Sequence, residues 1–149
     1  MAGYVRGVVV PELPDSMPGL DTYLGMRIAS ASGDRVVLRW QVRPELCQPH
    51  GLVHGGTYCT AVEAAASIGA ALWFTDVAGE HGRVVGVSNQ TDFYRAVTSG
   101  DLTAEALPVH RGRSQQVWRV RVNDDWDKLV AEGQVRLQNL NDPHRGPGR

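Results

Sequence analysis

The stretch from Gln48 to Phe74, QPHGLVHGGTYCTAVEAAASIGAALWF, limits the fold more than any other part of the chain. Up to the Gly55-Gly56 pair it carries Pro49, His50, Gly51 and His54, which are residues of loops and turns. After that pair comes an alanine-rich run free of proline, with the propensity of a helix ending near Asp76. A loop therefore opens directly into a helix N-terminus. Ala61, Val62, Ala64, Ala65, Ala66, Ile68, Ala70, Ala71, Leu72, Trp73 and Phe74 leave this helix apolar on nearly every side, so protein must surround most of it. Glu63 alone breaks the run with a charge. A carboxylate inside a buried helix is costly unless it has partners or changes its ionisation, so its presence asks for a reason. Ser67 lies one turn further along the same face.

A chain of 149 residues, 42% apolar, has room for one domain with a proper core. The formal net charge of −1 and the lack of a basic run argue against a nucleic-acid surface, although 14 arginines against the single Lys128 can still grip phosphates locally. Cys47 and Cys59 make no disulfide framework and show no zinc spacing, which fits a reducing, cytoplasmic setting. The apolar run Gly7 to Val10 is too short for a signal peptide. The long helix is tempting as a membrane span, but Glu63 at its middle and alanine in place of leucine favour a buried core. No cofactor or metal is expected.

Residues 1–22 show no clear period and read as a loose lead-in with one short turn. Tyr23 to Ser30, the turn Ser32-Gly33-Asp34 and the alternating run Val36, Leu38, Trp40, Val42 against Arg39, Gln41 and Arg43 read as a hairpin. After the helix, four strands are expected at Val84–Tyr94, Leu102–Val109, Gln115–Val122 and Leu129–Gln138, separated by turn-forming clusters. The last two alternate cleanly, so one sheet face is dry. The expected fold is α+β: a hairpin, a long helix, then four strands in a meander, giving one antiparallel sheet wrapped around a single helix. Residues 23–140 form the domain, and 141–149 read as a disordered tail. A lone sheet covers one side of the helix only, so a second copy of the chain is expected to close over the rest, in a dimer or a dimer of dimers.

HGGTYCTAVEAAAS resembles the signature of hotdog-fold acyl-CoA thioesterases of the phenylacetyl-CoA and 4-hydroxybenzoyl-CoA thioesterase groups. The likeness continues through VVGVSNQTDFYRAVTSGDLTAEALPVHRGRSQQVW and covers roughly residues 24–140. Glutamate on the helix resembles the branch of 4-hydroxybenzoyl-CoA and dihydroxynaphthoyl-CoA thioesterases, which implies an aromatic acyl-CoA substrate. By the same resemblance Glu63 matches the catalytic carboxylate and Gly55 the residue whose backbone N–H polarises the thioester carbonyl. Gln48 and Ser67 match supporting positions, and His54 one that braces the loop. Gly56, Asn89, Arg111, Arg113 and Ser114 fall where the family binds substrate and coenzyme A. The physics agrees independently: a helix N-terminus offers unpaired N–H donors and a positive dipole end, as a developing oxyanion requires.

Each of these residues also has a plain structural reading. Glu63 could pair with an arginine such as Arg95. His50 and His54 could merely brace the loop, Cys59 could be inert packing rather than a nucleophile, and Arg111 and Arg113 could be a solvated hairpin tip. Two other functions compete. A hotdog dehydratase or hydratase would pair a histidine such as His50 with Glu63, but such enzymes approach the helix through proline and glycine and lack the histidine-arginine-glycine turn. A non-catalytic acyl-CoA binding module has no use for a costly buried carboxylate.

Overall fold

The computed structural model describes residues 19–78 and 83–140. In chain order the elements are α1 (Leu20–Tyr23), β1 (Arg27–Ala31), β2 (Val36–Gln41), a 3-10 turn (Pro44–Leu46), α2 (Gly55–Ala78), β3 (Arg83–Phe93), β4 (Asp101–Arg111), β5 (Gln115–Asn123) and β6 (Leu129–Leu140). The strands form one six-stranded antiparallel sheet in the order β1-β2-β4-β5-β6-β3, and α2 packs along one face. This is the hotdog architecture. The expected lead-in and tail at 1–18 and 141–149 lie outside the described residues, and the expected short turn is the single-turn helix α1.

Alternation decides which face meets the helix. Val36, Leu38 and Trp40 of β2 are buried while Arg39 and Gln41 are exposed, and in β5 Trp118, Val120 and Val122 are buried while Arg119 and Arg121 are exposed. Small residues bring the helix close. A β-carbon on Gly133 would lie 2.6 Å from Val62, and one on Gly69 would lie 2.6 Å from Trp118, so both contacts require glycine. The same closeness explains why the buried helix face is built from Ala61, Ala65, Ala66 and Ala70 rather than leucine.

One expectation is corrected. The four strands after the helix do not form a simple meander, because β3 pairs with β6 at the far edge and β4 pairs with β2. Strand β2 offers a free edge to β4, and the connection that carries the chain there is pinned where Val53 N–H donates to Val97 O and Val42 N–H to Gly100 O. Strand β3 is thus left with one unpaired edge, and Val85, Val87 and Phe93 on it are exposed. The helix face away from the sheet is covered only in part: Leu20 and Asp21 of α1 share a depression there with Cys59, Glu63 and Ser67. Glu63 is accordingly half-buried within one chain, not fully enclosed.

Candidate active site

The loop before α2 is built to hold the helix N-terminus open. His54 N–H donates to Leu46 O, the Thr57 hydroxyl donates to the same carbonyl, and a one-residue bridge pairs Cys47 with Val53. Gly51 adopts φ 81°, which closes the loop through Gly51 N–H to Gln48 O. His54 caps the helix: its Nδ1 accepts from Gly56 N–H at 2.8 Å, and its carbonyl accepts from Thr57 N–H. The N–H groups of residues 56 and 57 are therefore used internally. Gly55 N–H has no backbone partner among the described residues, and it stands at the positive end of a 24-residue helix. Gln48 Oε1 accepts from His50 N–H at 2.7 Å, which fixes the side-chain amide and leaves its NH2 as a donor.

Gln48 and Gly55 share a depression of about 350 Å³ with Leu52, Tyr58, Phe93 and Arg95. The Tyr58 and Phe93 rings lie 5.8 Å apart between centroids. Phe93 explains the glycine at 55, since a β-carbon there would lie 2.6 Å from its ring. Tyr58 is buried, and burial above all, helped by the nearby Cys47 and Asp124, pushes its phenol up to about 12.

The carboxylate is fixed from strand β3. Asn89 Nδ2 donates to Glu63 Oε2 at 3.0 Å and to Cys59 O at 3.1 Å, while Asn89 Oδ1 accepts from the Thr91 hydroxyl at 2.7 Å. The threonine contact sets which end of the amide faces the carboxylate. Gly86 lets Glu63 lie against the strand, because a β-carbon there would fall 1.9 Å from Oε1. No ion pair to Glu63 is found among the described residues, so Arg95 does not neutralise it in this chain. Glu63 and Ser67 line a second depression, of about 400 Å³, with Cys59 and Asp21; burial raises the Asp21 carboxyl above its ordinary range.

The two halves of the expected catalytic set are thus apart. Gln48 and Gly55 open on one depression, Glu63 and Ser67 on the other. Glu63 follows Gly55 by eight positions, about 12 Å along the axis at 1.5 Å rise per residue, and the two line different depressions. A third depression, of about 490 Å³ by Arg27, Arg39 and Asp124, holds none of the candidates.

At the β4–β5 turn, Arg111 is engaged within the fold. Its Nη1 donates to Gly33 O and Asp34 Oδ1, both at 2.7 Å, and its guanidinium lies 5.4 Å from the Trp73 ring centroid. Arg113 and Ser114 are exposed. Sequence reasoning missed Gly86 and Thr91, although a glycine inside the strand run Val84–Tyr94 was the available signal of close approach.

A hotdog sheet around one long helix, matched by relatives and solved structures that are thioesterases, places the chain among thioester hydrolases. The chain belongs to the thioesterase superfamily, whose family model matches residues 50–131. A relative from Mycobacterium tuberculosis is 48% identical over 120 residues, covering 80% of this chain and 85% of the relative. Its solved structure superposes with TM-score 0.78 at 47% identity, covering 82% of this chain and 96% of that one. The 1,4-dihydroxy-2-naphthoyl-CoA hydrolase of Listeria monocytogenes is 33% identical over 114 residues, 76% of this chain and 89% of the relative. A Haemophilus influenzae thioesterase structure matches with TM-score 0.76 at 28% identity, covering 84% of this chain and 86% of its own.

Proposed function

We propose that the protein hydrolyses an aromatic acyl-CoA thioester at a site completed by a second chain. The observation that carries this reading is the separation of Gly55 from Glu63 on one rigid helix. One chain offers two half-sites, and a two-fold pairing with helices running in opposite directions sets the Gly55 end of one against Glu63 of the other. The exposed edge of β3, with Val85, Val87 and Phe93 bare, supports pairing there. The aromatic side chains of Tyr58, Phe93 and Tyr94 that line the depression beside Gly55 suit an aromatic acyl group. The naphthoyl-CoA substrate of the Listeria relative points the same way.

In this reading the thioester carbonyl oxygen accepts from Gly55 N–H and the Gln48 amide, which stabilise the negative charge that forms on attack. Glu63 of the opposing chain attacks the carbonyl carbon, expelling the CoA thiolate and leaving a mixed anhydride that water opens. By the alternative route it takes a proton from a water held by Ser67, whose hydroxide then attacks. Asn89 orients the carboxylate in both, and the thiolate leaves to be protonated by solvent. Two free cysteines fit a reducing, cytoplasmic setting.

Free-thiol release from benzoyl-, naphthoyl- and palmitoyl-CoA tests the proposal. Glu63→Gln should lower kcat by roughly 10²–10⁴-fold without changing the melting temperature. Mixing Glu63→Gln with Gln48→Ala subunits should restore activity, because half of the sites in a mixed dimer carry both defects and half carry neither. Near-normal turnover by Glu63→Ala, or a stable active monomer, would refute the reading. Preference for palmitoyl-CoA would overturn the substrate class alone.

A further inference from the structure

Helix α1 is a single turn with no buried residue, and Leu20 and Tyr23 on it are largely exposed, so it places no side chain in the core. The chain nevertheless fixes it firmly. Gly25, at φ 79°, closes the turn: Gly25 N–H donates to Thr22 O and Met26 N–H to Asp21 O, both at 2.9 Å, which is the paired bonding of a glycine-ended helix. Arg43 Nη2 donates to Tyr23 O at 2.7 Å and ties the turn to the segment after β2, while Met26 anchors the next residues in the core. What this fixed turn brings to α2 is Asp21, which lines the same depression as Glu63 and Ser67.

Among the described residues Asp21 is the only carboxylate besides Glu63 that lines this depression, and no ion pair to it is found. Burial holds its carboxyl above the ordinary range, which makes the ionised form a stronger proton acceptor. A second carboxylate matters for the route in which Glu63 attacks the thioester. Once acylated, Glu63 can no longer take a proton, so the water that opens the anhydride needs another base. In the other route Glu63 itself takes the proton from water, and Asp21 has no task.

We propose that Asp21, from the same chain as Glu63, is the base that opens the mixed anhydride, so that hydrolysis runs through acylated Glu63. A water held by Ser67 attacks the acyl carbonyl carbon while Asp21 takes one of its protons. The bond from that carbon to Glu63 breaks, its electron pair returns to Glu63 as carboxylate, and the acid departs. The acid and Asp21 then give their protons to solvent.

The inference rests on the proposed thioesterase activity and is tested by separating thiol release from turnover. In rapid-mixing experiments with excess benzoyl-CoA, Asp21→Asn should release one thiol per site at the wild-type rate. Its steady rate should then be lower by roughly 100-fold or more. Hydroxylamine, which attacks an anhydride without a base, should restore turnover and yield the hydroxamate, with Glu63→Gln as the control for reaction with free substrate. Formate should restore turnover to Asp21→Ala by taking the place of the lost carboxylate, and this arm decides alone if Asp21→Asn does not fold. A merely structural role would slow thiol release and turnover together and would not respond to formate. That result, or turnover of Asp21→Asn within threefold of wild type, would overturn the inference and leave the thioesterase reading in place. A wild type that releases no thiol from any acyl-CoA would refute that reading and this inference with it.

Discussion

Replacing Gly86 by alanine should separate the chemistry of this protein from its stability. The new β-carbon would lie 1.9 Å from Glu63 Oε1, and since such atoms do not approach within 3.0 Å, the carboxylate must retreat by at least about 1 Å. Retreat strains the 3.0 Å bond from Asn89 that aims the group. The fold loses little, because the displaced atoms are the end of a flexible side chain and alanine is favoured over glycine in a strand by about 0.5–1 kcal/mol. A 1 Å misplacement of a reacting group lowers the rate on the order of 100-fold, equivalent to about 2.7 kcal/mol of barrier. The assay is kcat on benzoyl-CoA by thiol detection, paired with a thermal melt of the same preparation. The expected outcome is a kcat near one-hundredth of wild type with a melting temperature within about 2 °C. A kcat within threefold of wild type would show that the position of Glu63 against β3 does not matter, and the reasoning would fail.

Arg111→Ala and Arg113→Ala should diverge. Losing the Gly33 and Asp34 bonds and the Trp73 contact should lower stability by about 1–3 kcal/mol in a denaturant melt, while Arg113→Ala should leave the melt in place and raise KM for CoA esters several-fold. Equal effects on KM would contradict the assignment. Alkaline stability should depend on Tyr58. Its folded phenol keeps its proton up to about 12, whereas the unfolded chain releases it near 10, so stability is full below about pH 10 and falls as pH rises toward 12. Tyr58→Phe should abolish that part of the loss in melts between pH 8 and pH 11.5, and an unchanged alkaline slope would count against it.

What was legible in the chain followed distance along it. The helix boundaries, the β1–β2 hairpin and the alternation of β5 and β6 are local patterns, and Glu63 stood out because it is a single charge in an apolar run. The place of β3 was not legible, since pairing with β6 rather than β4 is decided by which edges remain free once the helix has crossed the sheet. The setting of Glu63 was hidden for the same reason. Asn89 lies 26 residues on, and nothing local says that its amide meets that carboxylate. Arg111 looked like a free turn arginine because Asp34, its partner, is 77 residues earlier. Gln116 and Asn139 interrupt otherwise apolar alternation, but their bond spans two strands and becomes visible only once the register is known.

Strand β3 does more for the site than its edge position suggests. Phe93 near one end lies against Gly55, where a β-carbon would fall 2.6 Å from its ring, while Asn89 and Gly86 further back fix the carboxylate. Both half-sites are therefore referenced to one strand. If two chains join along that strand in antiparallel fashion, the Phe93 level of one lies toward the Gly86 level of the other. The uncapped N–H and the oriented carboxylate then face each other without any further element to align them. Within one chain the same two features point at different depressions, and the helix between them cannot be shortened without losing the alanine face that packs on the sheet. In the proposed dimer, a two-fold axis through the edge of β3 would bring Gly55 of one chain toward Glu63 of the other, whereas within one chain the two stand eight positions apart on the same helix, about 12 Å along its axis.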